Sequence, residues 1–181
     1  MSRLLYSATM SLDGFIAGAA GDMSWLTEYL QPNPAIDGIV DEIGALLVGA
    51  RTFRGDDPNR GTDKEGAFSG TWHGPQFVLT HHAPTAPVPD VTFLDDLAAA
   101  VAAAKEAAGG KYVNVLGADV AHQCLDAGLL DEVHVDLVPV FLGSGIPLLG
   151  MIKDAPVELD GPISVTQGKG VTHLGYRVVR K

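Results

Sequence analysis

The chain has 181 residues and a single cysteine, Cys124, so an intrachain disulfide framework is excluded. Basic residues are scarce. Twelve Lys and Arg stand against 22 Asp and Glu, for a formal net charge of -10, which repels nucleic acid and anionic membrane surfaces. No run of Lys or Arg makes a local exception. The chain lacks an opening apolar segment with a basic flank, and no long uncharged apolar run follows, so neither export nor membrane insertion is expected and a cytoplasmic location is. Internal repeats are also missing. A chain of this length buries roughly 70% of the surface it exposes when unfolded, enough for one core, and residues 1–181 are read as one domain.

What is present is an alternation of short apolar runs with helical patterns. Residues 4–10, 45–49, 76–79 and 91–94 read as strands. Residues 95–108 read as a helix, with acidic residues first, Leu97, Val101 and Ala104 on one face, Lys105 late and two glycines beyond. A further strand ends at Leu116. A helix follows with Val120, Cys124 and Ala127 on one face and Gly128 as its stop, which makes Cys124 a packed thiol rather than a nucleophile. Residues 132–137 alternate with period two, and residues 163–166 and 171–179 flank a Gly-rich turn as an antiparallel hairpin. The pattern predicts an α/β fold whose mainly parallel sheet is covered by helices on both faces. Residues 55–74 read as a surface loop near a site.

Two strand ends carry the chemistry. Gly117 lets the backbone approach a ligand, and the amides of Ala118, Asp119, Val120 and Ala121 open a helix, where an anionic group is favoured. Gly49 and Arg51 lead into a second helix start at which Thr52 adds a hydroxyl. Arg51, Arg54 and Arg60 fall within ten residues and offer positive potential to a phosphate; pairing with Asp56, Asp57 and Asp63 is the structural alternative. His81 and His82 are adjacent on an extended segment and point to opposite sides, which argues against a metal site. Asp13, in an Asp-Gly turn, reads as an acid or as a backbone cap, and Trp25 as a site wall or a core aromatic.

These blocks resemble the dihydrofolate reductase-like superfamily, particularly the branch containing the reductase domain of riboflavin biosynthesis. The resemblance rests on SLDGFIA at 11–17, GARTFRGDDP at 49–58, LGADV at 116–120, GLLDE at 128–132, and GSGIPLL at 143–149. It implies a reductase that binds NADPH at the carboxyl ends of the parallel strands. Thr52 and Asp56 would contact the dinucleotide, with Gly49, Arg51, Leu116, Gly117, Ala118, Asp119, Val120 and Ala121 around it. Thr9, Ile16, Ala17 and Trp25 would border the nicotinamide. Thr80 and His81 would read the adenosine 2'-phosphate, although a histidine is only partly charged at neutral pH. Asp13, Trp25, Phe53 and Phe141 would line the acceptor pocket.

No proton donor is secure. Asp13, Glu28 and Asp37 are candidates, and Leu30 stands at the spacing where folate-reducing members place an acid. Two departures bear on substrate: Leu116 replaces the glutamate that riboflavin-branch reductases carry before the turn, and Val40 replaces their phosphate-binding arginine. A small-molecule acceptor other than a phosphorylated aminopyrimidine is therefore expected, possible classes being pteridines, other heterocycles and carbonyls. The riboflavin-pathway 5-amino-6-(5-phosphoribosylamino)uracil reductase, a dihydrofolate reductase and a non-catalytic NADPH sensor are the alternatives. The resemblance also implies a homodimer, with Val133, Val135, Leu137, Val138, Val140, Phe141, Ile146, Leu148 and Leu149 as the apolar supply for its interface.

Overall fold

The computed structural model describes residues 1–29, 34–55, 57 and 59–180, with the backbone alone described for 34–37. In chain order the elements are β1 (Leu4–Ser11), β2 (Phe15–Ala17), two short 3-10 turns (Ala19–Gly21 and Ser24–Leu26), α1 (Pro34–Asp41), β3 (Ile43–Gly49), α2 (Ala50–Arg54), β4 (Gln76–Leu79), β5 (Val91–Leu94), α3 (Leu97–Ala107), β6 (Tyr112–Leu116), α4 (Ala118–Asp126), β7 (Glu132–Val138), β8 (Ile146–Pro147), β9 (Leu159–Gly168) and β10 (Val171–Val178). Eight strands form one sheet in the order β5-β4-β3-β6-β1-β7-β10-β9. Strands β5 through β7 are mutually parallel. Strand β10 runs antiparallel to β7 and forms the expected hairpin with β9. The expected α/β architecture holds.

As expected, helices lie on both faces of the sheet. Both long ones pack on one face, where Ala100, Val101 and Ala104 of α3 and Val120, Ala121, Cys124 and Leu125 of α4 meet Leu4, Tyr6, Ala45, Leu47, Val113, Val115, Val133 and Val135 of the strands. The opposite face is covered at one end by Val40 of α1, Phe53 of α2 and residues 67, 68 and 72 of the loop. Trp72 is buried there and donates its indole N–H to the Ile43 carbonyl at 3.1 Å. The loop 55–74 is therefore partly a core element.

Local chemistry explains the boundaries. Helix α3 starts two residues later than residue 95, where the acidic pair places it, because Asp96 takes the N-cap position and accepts from the Ala99 N–H at 2.7 Å. Cys124 is fully buried, and burial pushes its thiol up to about 12, in keeping with a packed rather than a reactive sulfur. Among the described residues no helix is long and apolar enough to cross a membrane.

Beyond the loop-covered part, the second face of the sheet is polar. Register fixes which side chains share it. Thr9 of β1 pairs with Asp136 of β7, Asp136 with His173 of β10, and His173 with Thr166 of β9. Side chains in cross-strand register project to one face, so these four form one row, and Ser7, His134, Gly175 and Ser164 form the next.

Candidate functional site

A cleft of about 1690 Å³ runs along the carboxyl ends of the parallel strands, which is where open α/β sheets place ligands. Its middle is built from β3, β6 and the two helices that follow them. Gly117 has φ +107, and a β-carbon there would run into Thr52 Oγ1. Glycine is therefore required by backbone conformation and by the close approach of α2. Gly117 is also the N-cap of α4 and offers no side chain to that end, so the first-turn amides are open to an acceptor from outside. Ala118 is the first helical residue of α4. It is absent from the residues of positive φ, so its methyl group causes no backbone conflict. Arg51 lies 3.6 Å from Asp119 across the gap between α2 and α4, with both side chains largely exposed.

Most of the sequence-predicted dinucleotide residues lie on this cleft. Thr9, Ile16, Ala17, Gly49, Arg51, Thr52, Thr80, His81, Leu116, Gly117, Ala118, Asp119 and Val120 line it. Thr80 sits at the far end beyond β4, where its hydroxyl accepts from the His82 N–H at 3.1 Å. Ala121 does not reach the cleft; it is fully buried in the α4 core. Asp56 lies outside the described residues, as do Leu30 and the side chain of Asp37.

Asp13, Trp25, Phe53 and Phe141, expected at the acceptor pocket, do not line this cleft. Asp13 acts as a clasp: its carboxylate accepts from Ser11 Oγ at 2.6 Å and from the Leu142 and Gly143 amides at 3.1 and 2.7 Å. The Ser11 hydroxyl beside it, helped by those amides, holds its carboxyl below the usual range, so it stays ionised. Phe53 packs edge-on against Phe93 with ring centroids 5.4 Å apart, in the second core. Phe141 is 71% exposed on the Gly-rich loop. Trp25 stands half-buried on the second 3-10 turn. Glu28 is exposed and does not line the cleft. Each was placed by motif position, and motif position fixes the backbone address without the side-chain direction.

The β7–β10 end of the cleft is made by residues that no sequence motif singles out. Asp136, His134, His173 and Lys169 line the cleft there. His173 Nδ1 lies 2.5 Å from Asp136 Oδ1, and both are substantially buried. His134 has its Nε2 3.5 Å from Glu132 Oε2. Burial pushes its pKa down more than the neighbouring carboxylates pull it up, so it is predominantly neutral. Gly175 creates the space for that ring, since a β-carbon there would meet His134 Nε2 at 3.1 Å and collide with Ser164 Oγ. Glu132 is closed off behind His134 by Arg3 and by the Tyr112 hydroxyl at 3.0 Å. The signal for this group was the alternation in residues 132–137, which sets Glu, His and Asp on one face. Its partner strand could not be read, because β10 is remote in sequence.

With this geometry established, comparison with known proteins is informative. The uncharacterized protein YyaP of Bacillus subtilis (strain 168) is 24% identical over 96% of this chain and 94% of its own length. A protein of Shewanella sp. PV-4, provisionally described as a riboflavin biosynthesis protein, superposes with a TM-score of 0.70 at 22% identity, covering 98% of this chain and 99% of the other. The diaminohydroxyphosphoribosylaminopyrimidine deaminase/5-amino-6-(5-phosphoribosylamino)uracil reductase of Thermotoga maritima superposes with a TM-score of 0.66 at 20% identity, over 98% of this chain and 57% of that one. These likenesses share the fold, a mostly parallel sheet with a C-terminal antiparallel hairpin. The family model for the RibD C-terminal domain matches residues 3–161, which hold the six parallel strands of the main sheet, and the chain accordingly belongs to the RibD C-terminal domain family.

Proposed function

We propose that this chain is an NADPH-dependent reductase of a small, unphosphorylated acceptor. The observation that carries the reading is the cradle in which Gly117 and the uncapped start of α4 face Thr52 across the cleft. Backbone amides at a helix start, backed by a hydroxyl and approached without an intervening side chain, suit a pyrophosphate. When bound, the reduced nicotinamide supplies the hydride.

The chain's own residues then position and enclose. The α4 amides and Thr52 hold the diphosphate, and Thr80 and His81 bind the 2'-phosphate at the β4 end. Asp56 is retained as a dinucleotide contact on the strength of its motif. Thr9, Ile16 and Ala17 border the nicotinamide. Strand β2 pairs with β8 through Phe15–Pro147 and Ala17–Ile146, and the Asp13 clasp ties down the same loop. That holds the wall of the nicotinamide site in register, as near-attack geometry requires. Leu116 and Val40 both line the cleft, where they offer no fork to a substrate phosphate. This supports an acceptor other than a phosphoribosyl pyrimidine.

Fluorescence titration with NADPH, followed by cofactor oxidation across carbonyl, imine, pteridine and quinone acceptors, tests the proposal. Saturable binding with oxidation of at least one unphosphorylated acceptor is expected. Failure to bind NADPH would overturn the reading, and tight binding without any oxidation would favour a sensor.

A homodimer is part of the same proposal, but with a different supply of apolar surface from the one expected. Val133, Val135 and Val138 are buried in the chain's own core, and Leu137, Leu148 and Leu149 pack against it. What remains open is the edge strand β9, with Leu159, Ile163 and Val165 exposed, and Phe141 and Ile146 on the Gly-rich loop. A ten-residue edge with exposed apolar side chains is a template for pairing.

A further inference from the structure

The wall of the cleft that contains Val40 and Leu116 has a chemistry of its own. We propose that this wall is an apolar subsite for the acceptor with Phe68 as its specificity-determining residue, so that the acceptor is a molecule whose body, away from the reducible bond, is an uncharged apolar ring. The assignment rests on the reductase reading above and names the substrate class that reading leaves open.

Three separate stretches of chain build the wall. Val40 of α1, Leu116 at the end of β6, and Ala67 and Phe68 of the 55–74 loop all pack on the second core, which includes Leu46 and Val48 of β3. All four also line the cleft. Val48 pairs with Leu116 across β3 and β6, and β6 neighbours β1. A ring resting on this wall therefore lies one or two strand spacings, roughly 5–10 Å, from the β1 end at which Thr9 is assigned to the nicotinamide. Ligand sites of this kind are mostly apolar, with a few polar groups that set orientation.

Backbone conformation singles out Phe68. It and Ser69 have φ +53 and +56, between Gly66 at +111 and Gly70 at +74. Glycine takes such angles freely; a bulky side chain rarely does, and the surroundings must offset the strain. The turn is tied at several points. The Gly70 N–H donates to the Gly66 carbonyl at 3.4 Å, and Thr71 donates to the Phe68 carbonyl through its amide at 3.3 Å and its hydroxyl at 2.7 Å. The Asp57 carboxylate accepts from the Gly66 N–H at 2.6 Å, and the buried Trp72 indole holds the far end to Ile43. A strained turn fastened on both sides keeps Phe68 at the cleft wall.

Charge competes little for this position. Helix α1 has no Lys or Arg. On α1 and the loop, Lys64 is the one cation among the described residues that line the cleft, and it is exposed. Arg51 of α2 turns to Asp119, and Arg54 to the Ala50 carbonyl. An acidic acceptor would meet Lys64 alone on this side, whereas an apolar ring meets four side chains.

The test uses 2-naphthol and 2-naphthol-6-sulfonate, which present the same fluorescent ring without and with an anion. Each is titrated into the wild type, Phe68→Ala and Val40→Arg with saturating NADP+, and NADPH is titrated separately to read the cofactor site. The wild type should bind 2-naphthol about tenfold or more tighter than the sulfonate. Phe68→Ala should weaken 2-naphthol about tenfold, the scale of one buried aromatic contact, and leave the NADPH Kd unchanged. Val40→Arg should reverse the preference, because a guanidinium on the wall pairs with the sulfonate. Sulfonate binding as tight as naphthol in the wild type would assign this side of the cleft to Lys64 and an acidic acceptor, and so overturn the proposal. A naphthol Kd unmoved by Phe68→Ala overturns it too. NADPH binding without naphthol binding sinks the subsite alone, whereas a naphthol preference without NADPH binding supports the subsite and defeats the reductase reading. Should Phe68→Ala fail to fold, a Val40→Arg chain that still prefers 2-naphthol overturns the assignment equally.

Discussion

Gly117 and Thr52 meet across the cleft so closely that a β-carbon on the one would occupy the place of the hydroxyl on the other. The contact joins the start of α4 to α2, and thereby joins the ends of β6 and β3 from which those helices spring. Shape and chemistry at this point are the same feature: the approach that leaves no room for a side chain is also what exposes the helix amides.

Gly117→Ala is expected to lower stability by ~1–3 kcal/mol, because alanine at φ +107 is strained and its methyl group collides with Thr52. Thr52→Ala in the same chain should relieve the collision but not the backbone strain, recovering part of the loss. Urea unfolding midpoints of the two variants and the wild type measure this. A Gly117→Ala midpoint equal to the wild type would contradict the packing.

Asp13 gives a pH-dependent contribution whose sign follows from its lowered pKa. The folded state holds the proton less tightly than the unfolded chain, so the contribution is present above the ordinary aspartate value of 3.8 and is lost as pH falls through the lower folded value. Asp13→Ala should therefore melt below the wild type at neutral pH. The gap should close in acid. Calorimetric scans at neutral pH and in the acid range check it, and a gap that widens in acid would reverse the assignment.

Cofactor choice depends on Thr80 and His81. NADPH should bind more tightly than NADH, and Thr80→Ala should narrow the ratio by about tenfold or more, the scale of one hydrogen bond to a charged group, ~1.5–3 kcal/mol. Competition titrations of both cofactors against both proteins provide the number. An unaltered ratio would place 2'-phosphate recognition elsewhere.

Self-association through β9 predicts a mass of two chains by sedimentation at micromolar concentration. Val165→Lys, which puts a charge on an exposed position of that strand, should shift it to one chain without altering the melting of the monomer fold. A wild type that sediments as one chain would refute the homodimer; a dimer that persists in the variant would move the interface off β9.

Strand positions, the capped helix at α3 and the glycine turn before α4 were determined by sequence alone, because each depends on contacts within a few residues: apolar runs, an acidic cap, a residue that tolerates positive φ. Motif spacing likewise brought Thr52, Thr80 and Gly117 to one edge of the sheet, since parallel strands joined by helices all end there. The directions of side chains in loops were decided only by the tertiary structure. Asp13 turns toward Leu142 and Gly143, and Phe53 toward Phe93, because partners more than thirty residues away offer amides and a ring. The Asp136–His173 pair was beyond local reading for the same reason. Its two members meet because β10 returns past β8 and β9 to pair with β7, and neighbours in a sheet are chosen by the packing of the whole chain.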